Sequence, residues 1–216
     1  MIKFEHTQVL NFEGAFRGLR NPLESWDKSD SYEEYLDYPW EMNPFKIGEN
    51  DLALAQKLIK AGPDHRKFLR QIFVSVDITA PLYWWKEMDQ YRVAVVSNSC
   101  STMHKIHSKP IELSDFSIDG CYLEEGDCYL SEYFSLAIAD CEYLRKKYLD
   151  TKDKKYWRAL IQFLPSSYNQ KRTITLNYET LRNIYGSRRN HRLTEWSEGF
   201  ISWIDSLPYA EELIKI

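Results

Sequence analysis

The feature that most constrains this fold is a run of alternating apolar residues between two helix signals. Every second residue from Ile72 to Ile78 is apolar, which predicts a strand with one buried face. A helical pattern that stops at Gly62-Pro63 precedes the run, and Pro81 follows it in a position favoured at helix starts. The sequence therefore predicts a mixed α/β protein.

Apolar spacing elsewhere extends this pattern. It predicts two further strands, over residues 2–12 and 173–176, and seven helices, over residues 14–20, 51–61, 82–93, 132–149, 156–163, 177–185 and 194–206. Asn50 or Asp51 is the expected N-cap of the second helix, and Asn177 that of the sixth. No glycine fingerprint follows a strand, so the pattern does not support a Rossmann fold.

Composition limits the class of protein. No linker or repeat divides the 216 residues, which predicts one domain over residues 1–216. The net charge of −4 argues against a protein that wraps nucleic-acid polymers, although a local phosphate pocket is compatible with it. No apolar run is long enough for a membrane span, and the four cysteines lack CxxC spacing. We therefore expect a cytoplasmic protein with no membrane partner.

The first candidate site follows the helix predicted to begin after Pro81. It consists of Gln90-Tyr91-Arg92 and, farther along, Asn98, Ser99, Cys100 and Ser101. Hydroxyl and amide groups beside an arginine can hold a phosphate or the edge of a pyrimidine. The alternative is a Ser/Asn-rich turn that satisfies its own backbone.

The second candidate is the basic run from Arg188 to Arg192, which includes His191. It predicts an anion-binding patch, to which Lys171 and Arg172 can add, or else a solvated basic helix end. His104 and His107 have the spacing of half a metal site, but no third ligand accompanies them, so we expect no metal. Cys100 is a nucleophile candidate without a local base.

These candidates occur in an order that resembles the flavin-dependent thymidylate synthases. Leu58 to Gly62, then His65, resembles the family's helix, glycine and histidine segment, and Ala80-Pro81 resembles its Ala-Pro. The family signature, Arg-His-Arg followed seven or eight residues later by Ser, corresponds to Gln90-Tyr91-Arg92 and Ser101. A second block follows at family intervals: Leu164-Pro165, Asn177, Leu181, Asn183, Arg188, His191 and Trp196.

The resemblance implies an α+β fold with a mostly antiparallel sheet packed by helices, in a homotetramer whose active sites are shared between subunits. It implies methylation of dUMP, or of a related pyrimidine deoxynucleotide, with reduced FAD, NADPH and methylenetetrahydrofolate, in a bacterial or phage-encoded protein. By position, the FAD contacts would be Arg92, Asn177, Asn183 and His191. The nucleotide contacts would be Glu87, Gln90, Ser99, Cys100, Ser101 and Arg188, with Arg188 and Ser101 also catalytic.

The sequence departs from the family where the substrate phosphate is bound. Met103 and Ile161 occupy positions of family arginines, and Gln90 and Tyr91 replace the first two signature residues. Lys105, Arg158 and Arg172 could substitute for the lost charges, although none is at a family position. Two alternatives to catalysis therefore stand: a flavin- or nucleotide-binding protein on the same fold without turnover, and an interaction protein that uses a Tyr/Trp-rich surface.

Overall fold

The computed structural model describes residues 2–34, 44–121 and 130–216 and has an α+β fold, with helices packed on an antiparallel sheet. The described strands are Lys3–Leu10 (β1), Tyr32–Glu33 (β2), Phe45–Lys46 (β3), Phe73–Pro81 (β4), Val96–Ser99 (β5) and Asn169–Asn177 (β6). One sheet has the spatial order β1-β4-β6-β5, and β2 pairs with β3 in a second. The predicted fold class is confirmed.

The helices follow most of the predicted spans. They are Phe12–Arg20 (α1), Glu49–Ala61 (α2), Leu82–Met88 (α3), Leu130–Thr151 (α4), Lys154–Phe163 (α5), Tyr178–Arg188 (α6), Ile201–Asp205 (α7) and Ala210–Leu213 (α8). A π-helical turn, Glu195–Phe200, leads into α7. In the described part of the chain, no helix has both the length and the apolar character that a membrane span requires.

The chain is organised as two compact units. Unit 1 comprises residues 1–3, 77–90 and 98–173, and unit 2 comprises residues 4–76, 91–97 and 174–216. The single domain expected over residues 1–216 remains a prediction.

Unit 1 has its apolar core under the helix pair α4 and α5. Its fully or nearly buried members include Ile106, Ile138, Cys141, Leu160 and Tyr168. Residues 107–129 are polar and carry glycines, which predicts an excursion or a hairpin. This segment forms short 3-10 turns at Leu113–Asp115 and Asp119–Cys121, and Phe116 bridges to Tyr168. Residues 122–129 of that prediction lie outside the described part of the chain. The core thus anchors the excursion through Phe116, which packs edge-on against Tyr168.

An ion pair within α4 fastens this excursion to the helix. Glu142 accepts hydrogen bonds from Arg145 at 2.6 and 2.7 Å and from the backbone N–H of Ile111 at 3.0 Å. Arg145 also donates to the carbonyl of His107 at 3.2 Å. The Arg145 hydrogen bonds are the main reason that the pKa of Glu142 falls to about 2, against a burial effect that would raise it.

We expect Glu142→Gln to lower the free energy of unfolding at neutral pH by roughly 2–3 kcal/mol, since the ionised carboxylate is the form bound in the fold. Because the pKa of Glu142 is lower in the fold, its carboxylate stabilises the fold at pH values above its unfolded pKa near 4.5, and this contribution is lost as the pH falls towards about 2. Urea unfolding of wild type and variant at pH 7 and pH 3 measures the contribution. Glu132→Gln, on the exposed side of the same helix, is the control. An equal loss at both pH values would contradict the prediction.

Unit 2 has an aromatic core. Phe12 packs edge-on against Tyr178 with ring centroids 5.6 Å apart, and Phe16 packs against Phe68 at 5.9 Å. Phe4 stacks on Trp203 at 5.0 Å. Such contacts add to the apolar burial that stabilises a domain. They account for part of the high aromatic content that the sequence shows, 15% of residues.

The expected N-cap of α2 is wrong. Gly48 is the N-cap, and Asp30 caps the helix from a separate segment by accepting from the N–H groups of Asn50 and Asp51 at 2.9 and 3.0 Å. A Cβ at Gly48 would lie 2.2 Å from the Asp30 side chain, so only glycine allows this approach. Asp51 is instead fully buried and bonded to Arg20 at 2.5 Å.

Helix α3 ends at Met88, five residues before the predicted boundary near Val93. Asp89 turns away to pair with Arg172 at 2.7 Å, and Ala94 has a left-handed φ of 54°, which a continuing helix cannot adopt. The β-branched residues Val95 and Val96 then lead into β5, a strand that was not predicted. In contrast, Asn177 is confirmed as a cap, because its side chain accepts from the N–H of Thr180 at 2.9 Å.

Candidate functional site

In unit 2, the guanidinium of Arg188 is held against two aromatic rings. Arg188 is the last residue of α6, and its Nε donates to the hydroxyl of Tyr91 at 2.9 Å. The guanidinium carbon lies 4.9 Å from the ring centroid of Trp196 and 5.7 Å from that of Tyr91. The two rings meet edge-on, and Trp196 is fully buried. Stacking and the hydrogen bond together fix the orientation of a planar cation.

His191 lies beside the same tryptophan. Its ring centroid is 6.4 Å from that of Trp196, and its Nδ1 accepts the backbone N–H of Leu193 at 3.1 Å. In the neutral ring, an accepting Nδ1 leaves the proton on Nε2, which is then a donor. The basic run from Arg188 to Arg192 is therefore more than a solvated helix end, since two of its members pack on Trp196.

The remaining candidates of unit 2 lie on or beside α6. Asn177 is buried with 1% exposure, and its Oδ1 caps the helix, while its Nδ2 has no hydrogen-bond partner among the described residues. Asn183 and Arg92 are exposed. The hydroxyl of Thr180 donates to the carbonyl of Val93 at 3.1 Å, which holds the segment after Arg92 against the start of α6. Unit 2 thus brings Tyr91, Arg188 and His191 together around Trp196.

In unit 1, the candidates surround the turn that begins at Cys100. The hydroxyl oxygen of Ser101 accepts the backbone N–H groups of Met103 and His104 at 3.3 and 2.8 Å. This is the self-satisfied turn that the sequence left open as an alternative, and it leaves the hydroxyl proton to be donated elsewhere. Of the other candidates in this unit, Glu87 is half-buried, and Gln90, Ser99 and Cys100 are exposed.

A hydrogen-bonded chain fixes this turn from β6. The N–H of Cys100 donates to the carbonyl of Lys171 at 2.9 Å, and the carbonyl of Cys100 accepts from Gln170 at 2.6 Å. Gln170 accepts in turn from Arg172 at 2.9 Å. The Arg172 guanidinium lies 4.2 Å from the ring of Trp85. Gln170, Asp89 and Trp85 hold Arg172 in place, and its expected use as a substitute phosphate ligand stays a prediction.

A cavity of about 340 Å³ opens beside Ser101 in unit 1. Three lysines line it, Lys3, Lys109 and Lys171, together with the hydroxyl residues Ser101, Thr102 and Ser114. Lys109 pairs with Asp115 at 2.6 Å, and Lys171 pairs with Asp77 at 3.3 Å. The cavity is therefore polar and rich in cationic donors.

Apolar side chains occupy the two positions where the resemblance implies arginines. Met103 is half-exposed, and its carbonyl accepts from Trp157 Nε1 at 2.8 Å. Ile161 packs against the apolar core of unit 1. Lys105 and Arg158 are exposed and do not line the cavity beside Ser101. The structure does not place these two substitutes in that cavity.

The histidine pair has no metal-like surroundings. Across the described ranges, no group of three His, Cys, Asp or Glu side chains could hold a metal ion. The ring of His107 packs edge-on against Tyr148 with centroids 4.9 Å apart.

Sequence reasoning missed the three lysines as a group and the role of Tyr91. Lys3, Lys109 and Lys171 are far apart along the chain, so no spacing could join them, although Lys171 was assigned to an anion-binding patch. The sequence places Tyr91 in the first candidate site and at the position of a family histidine, but it does not predict its contact with Arg188. Its signal was the combination of an aromatic ring and a hydroxyl, which suits a guanidinium partner.

Two solved structures have a fold similar to that of this chain. The chain has a TM-score of 0.67 and 16% identity to the flavin-dependent thymidylate synthase ThyX of Helicobacter pylori, in complex with FAD and dUMP. That alignment covers 99% of this chain and 97% of the other. A second structure of the same enzyme with FAD and dUMP gives 0.66 and 15%, over 99% and 96% of the two chains. No protein-family model and no curated protein sequence matches.

Proposed function

We propose that this chain is a flavin-dependent enzyme that methylates dUMP or a related pyrimidine deoxynucleotide. The observation that carries the proposal is the Arg188 guanidinium, fixed by Tyr91 and Trp196 in a chain that has the fold of the ThyX complexes with FAD and dUMP. Methylenetetrahydrofolate would be the one-carbon donor and NADPH the reductant. The proposed assembly is a homotetramer of single-domain chains with sites shared between subunits.

Arg188 is the proposed catalytic cation. Methylation at a pyrimidine carbon builds negative charge on a ring oxygen, and a preorganised guanidinium stabilises that charge with little reorganisation. The contacts to Tyr91 and Trp196 supply the preorganisation, since they fix the plane of the group before a ligand binds. Ser101 would contribute its hydroxyl proton to the nucleotide, with Glu87, Gln90, Ser99 and Cys100 as neighbouring contacts.

The residues proposed to hold FAD fit it by the chemistry of their donors. Arg92, Asn183 and His191 present guanidinium, amide and imidazole N–H groups, and FAD is rich in phosphate and carbonyl acceptors. The Nδ2 of Asn177, buried without a partner among the described residues, is one more donor that the fold leaves unsatisfied. When bound and reduced, the flavin would supply a hydride. Asn177 and Asn183 would orient the cofactor from α6.

A second candidate function is nucleotide or flavin binding without turnover. The specific observation in its favour is that Met103 and Ile161, at the positions where the resemblance implies arginines, offer no charge to a phosphate. Met103 is half-exposed, and Ile161 packs against the apolar core of unit 1. An interaction protein is a third candidate, favoured by the exposed stripe Tyr133, Leu136 and Tyr143 on α4.

The three functions are separated by one preparation of purified protein. We expect bound flavin, recognised by its yellow absorbance spectrum, and thymidylate formation from dUMP, methylenetetrahydrofolate and NADPH. Flavin or dUMP binding without product would favour the second candidate. A colourless protein that takes up neither added FAD nor dUMP would refute both and leave the interaction protein.

A further inference from the structure

We propose that the cavity beside Ser101 binds the phosphate of the nucleotide through Lys3, Lys109 and Lys171. The inference rests on the proposed function for the identity of the nucleotide. It assigns phosphate binding to residues that occupy none of the family's arginine positions.

Three separate segments of unit 1 supply the ammonium groups. Lys3 begins β1, Lys171 lies on β6, and Lys109 precedes the Leu113–Asp115 turn. All three line one cavity of about 340 Å³, in the size range of small-ligand pockets. An ammonium group carries three donors and no acceptor, so a ligand shared by three of them must offer acceptors.

The polar groups between the lysines complete a set suited to phosphate. The hydroxyl-bearing residues Ser101, Thr102 and Ser114 line the same cavity. Asn169 accepts from the Ser117 hydroxyl through Oδ1 at 2.8 Å, so its NH₂ is the end that remains to donate in the cavity. Ser101 is held by the turn that its own oxygen caps, which preorganises the hydroxyl. A phosphate offers three oxygen acceptors to such groups.

The charge of the cavity favours a dianion. Among the described residues that line it, three are lysines and one is a carboxylate, Asp115, so the lining has a net positive charge, while Asp77 pairs with Lys171 from beyond the lining. The hydrogen bond to Asp115 is the main cause that raises the pKa of Lys109, which keeps the ammonium charged at neutral pH. An ammonium group carries three protons, so Lys109 can donate to a phosphate oxygen while it pairs with Asp115. The carboxylates therefore orient Lys109 and Lys171 beside the cavity.

Titration of wild type and single variants with dUMP, deoxyuridine and inorganic phosphate tests the inference. We expect dUMP to bind at least about tenfold more tightly than deoxyuridine, since charged hydrogen bonds are the strong ones. Lys109→Met and Lys171→Met should each weaken dUMP about tenfold and leave deoxyuridine unchanged. Lys105→Met, an exposed lysine outside the cavity, is the matched control. If the thermal midpoint shows that Lys109→Met or Lys171→Met does not fold, Lys3→Met is the variant that tests the site.

The possible outcomes separate this inference from the proposed function. Lysine-dependent binding of dUMP without thymidylate formation would refute the methylation and support the phosphate site. Thymidylate formation with dUMP affinity unchanged in all three lysine variants would overturn the site and support the methylation. A wild-type protein that binds neither dUMP nor inorganic phosphate would overturn the site. Equal losses of affinity for dUMP and deoxyuridine in the lysine variants would also overturn the site, because the lysines would then not be binding the phosphate.

Discussion

Replacing Arg188 by alanine is expected to lower the rate of thymidylate formation about 10²–10³-fold, the usual effect of removing one preorganised donor from a developing anion. The fold should persist, because Arg188 is the last residue of α6 and only half-buried. The measurement is the turnover of dUMP under saturating cofactor and co-substrates. The flavin spectrum and the thermal midpoint, taken on the same samples, show whether any loss comes from the cofactor or from the fold.

Two further variants sharpen this result. Arg189→Ala removes an equal charge from the next residue, which is exposed, and is expected to leave turnover within about twofold of wild type. Arg188→Lys keeps the charge but loses the planar stacking on Trp196, so an intermediate rate is expected. Equal rates for wild type and Arg188→Ala, in a protein that makes thymidylate, would remove Arg188 from the mechanism.

The largest expected effect on stability comes from Asp51→Ala, at about 3–5 kcal/mol in the free energy of unfolding. Asp51 is fully buried and pairs with Arg20, which has 4% exposure. It also accepts from the hydroxyls of Ser29 and Ser31 at 2.7 and 2.6 Å. Among the described residues, alanine would leave the buried Arg20 guanidinium with its hydrogen bonds to the carbonyl and the hydroxyl of Ser25. Urea unfolding followed by circular dichroism measures the loss.

The control and the pH dependence identify the cause. Asn50→Ala, the exposed neighbour in α2, should cost under about 1 kcal/mol, and a comparable loss in both variants would contradict a role for the ion pair. Burial acts to raise the pKa of Asp51, but the hydroxyls of Ser31 and Ser29 and the Arg20 guanidinium outweigh it and lower the value. A lowered pKa stabilises the fold above the unfolded value of about 3.9 and stops doing so as the pH falls below it. The gap between wild type and Asp51→Ala should therefore narrow in acid.

Local periodicity was sufficient for most of the fold. The alternation that ends at Ile78 lies in β4, and Asn177 caps α6 as predicted, because both signals depend on residues a few positions apart. The boundary errors arose where distant residues decide. Asp30, rather than a residue at the helix start, caps α2, and Asp89 leaves α3 to pair with Arg172 on β6.

The sequence predicted several residues of the candidate site, but it did not predict their contacts. Order and spacing were enough to single out Arg188, Ser101 and His191, since a motif preserves its residues in sequence. Their surroundings were not readable from the motif. Tyr91, at the position where the resemblance implies a histidine, accepts a hydrogen bond from Arg188 Nε through its hydroxyl oxygen, and its ring lies 5.7 Å from the guanidinium.

The sequence by itself determined most of the helices, the three longest strands, the class of fold and the motif that resembles the thymidylate synthases, because hydrophobic period and spacing are local properties. Only the tertiary structure decided which cations share a pocket. Lys3, Lys109 and Lys171 come together because a sheet strand, a turn and a second strand converge on one cavity. Lys105 and Arg158 are close in sequence to Met103 and Ile161, but they do not line this cavity. The electrostatic energy between two charges depends on the distance between them in space, and the number of residues that separates them along the chain does not give that distance.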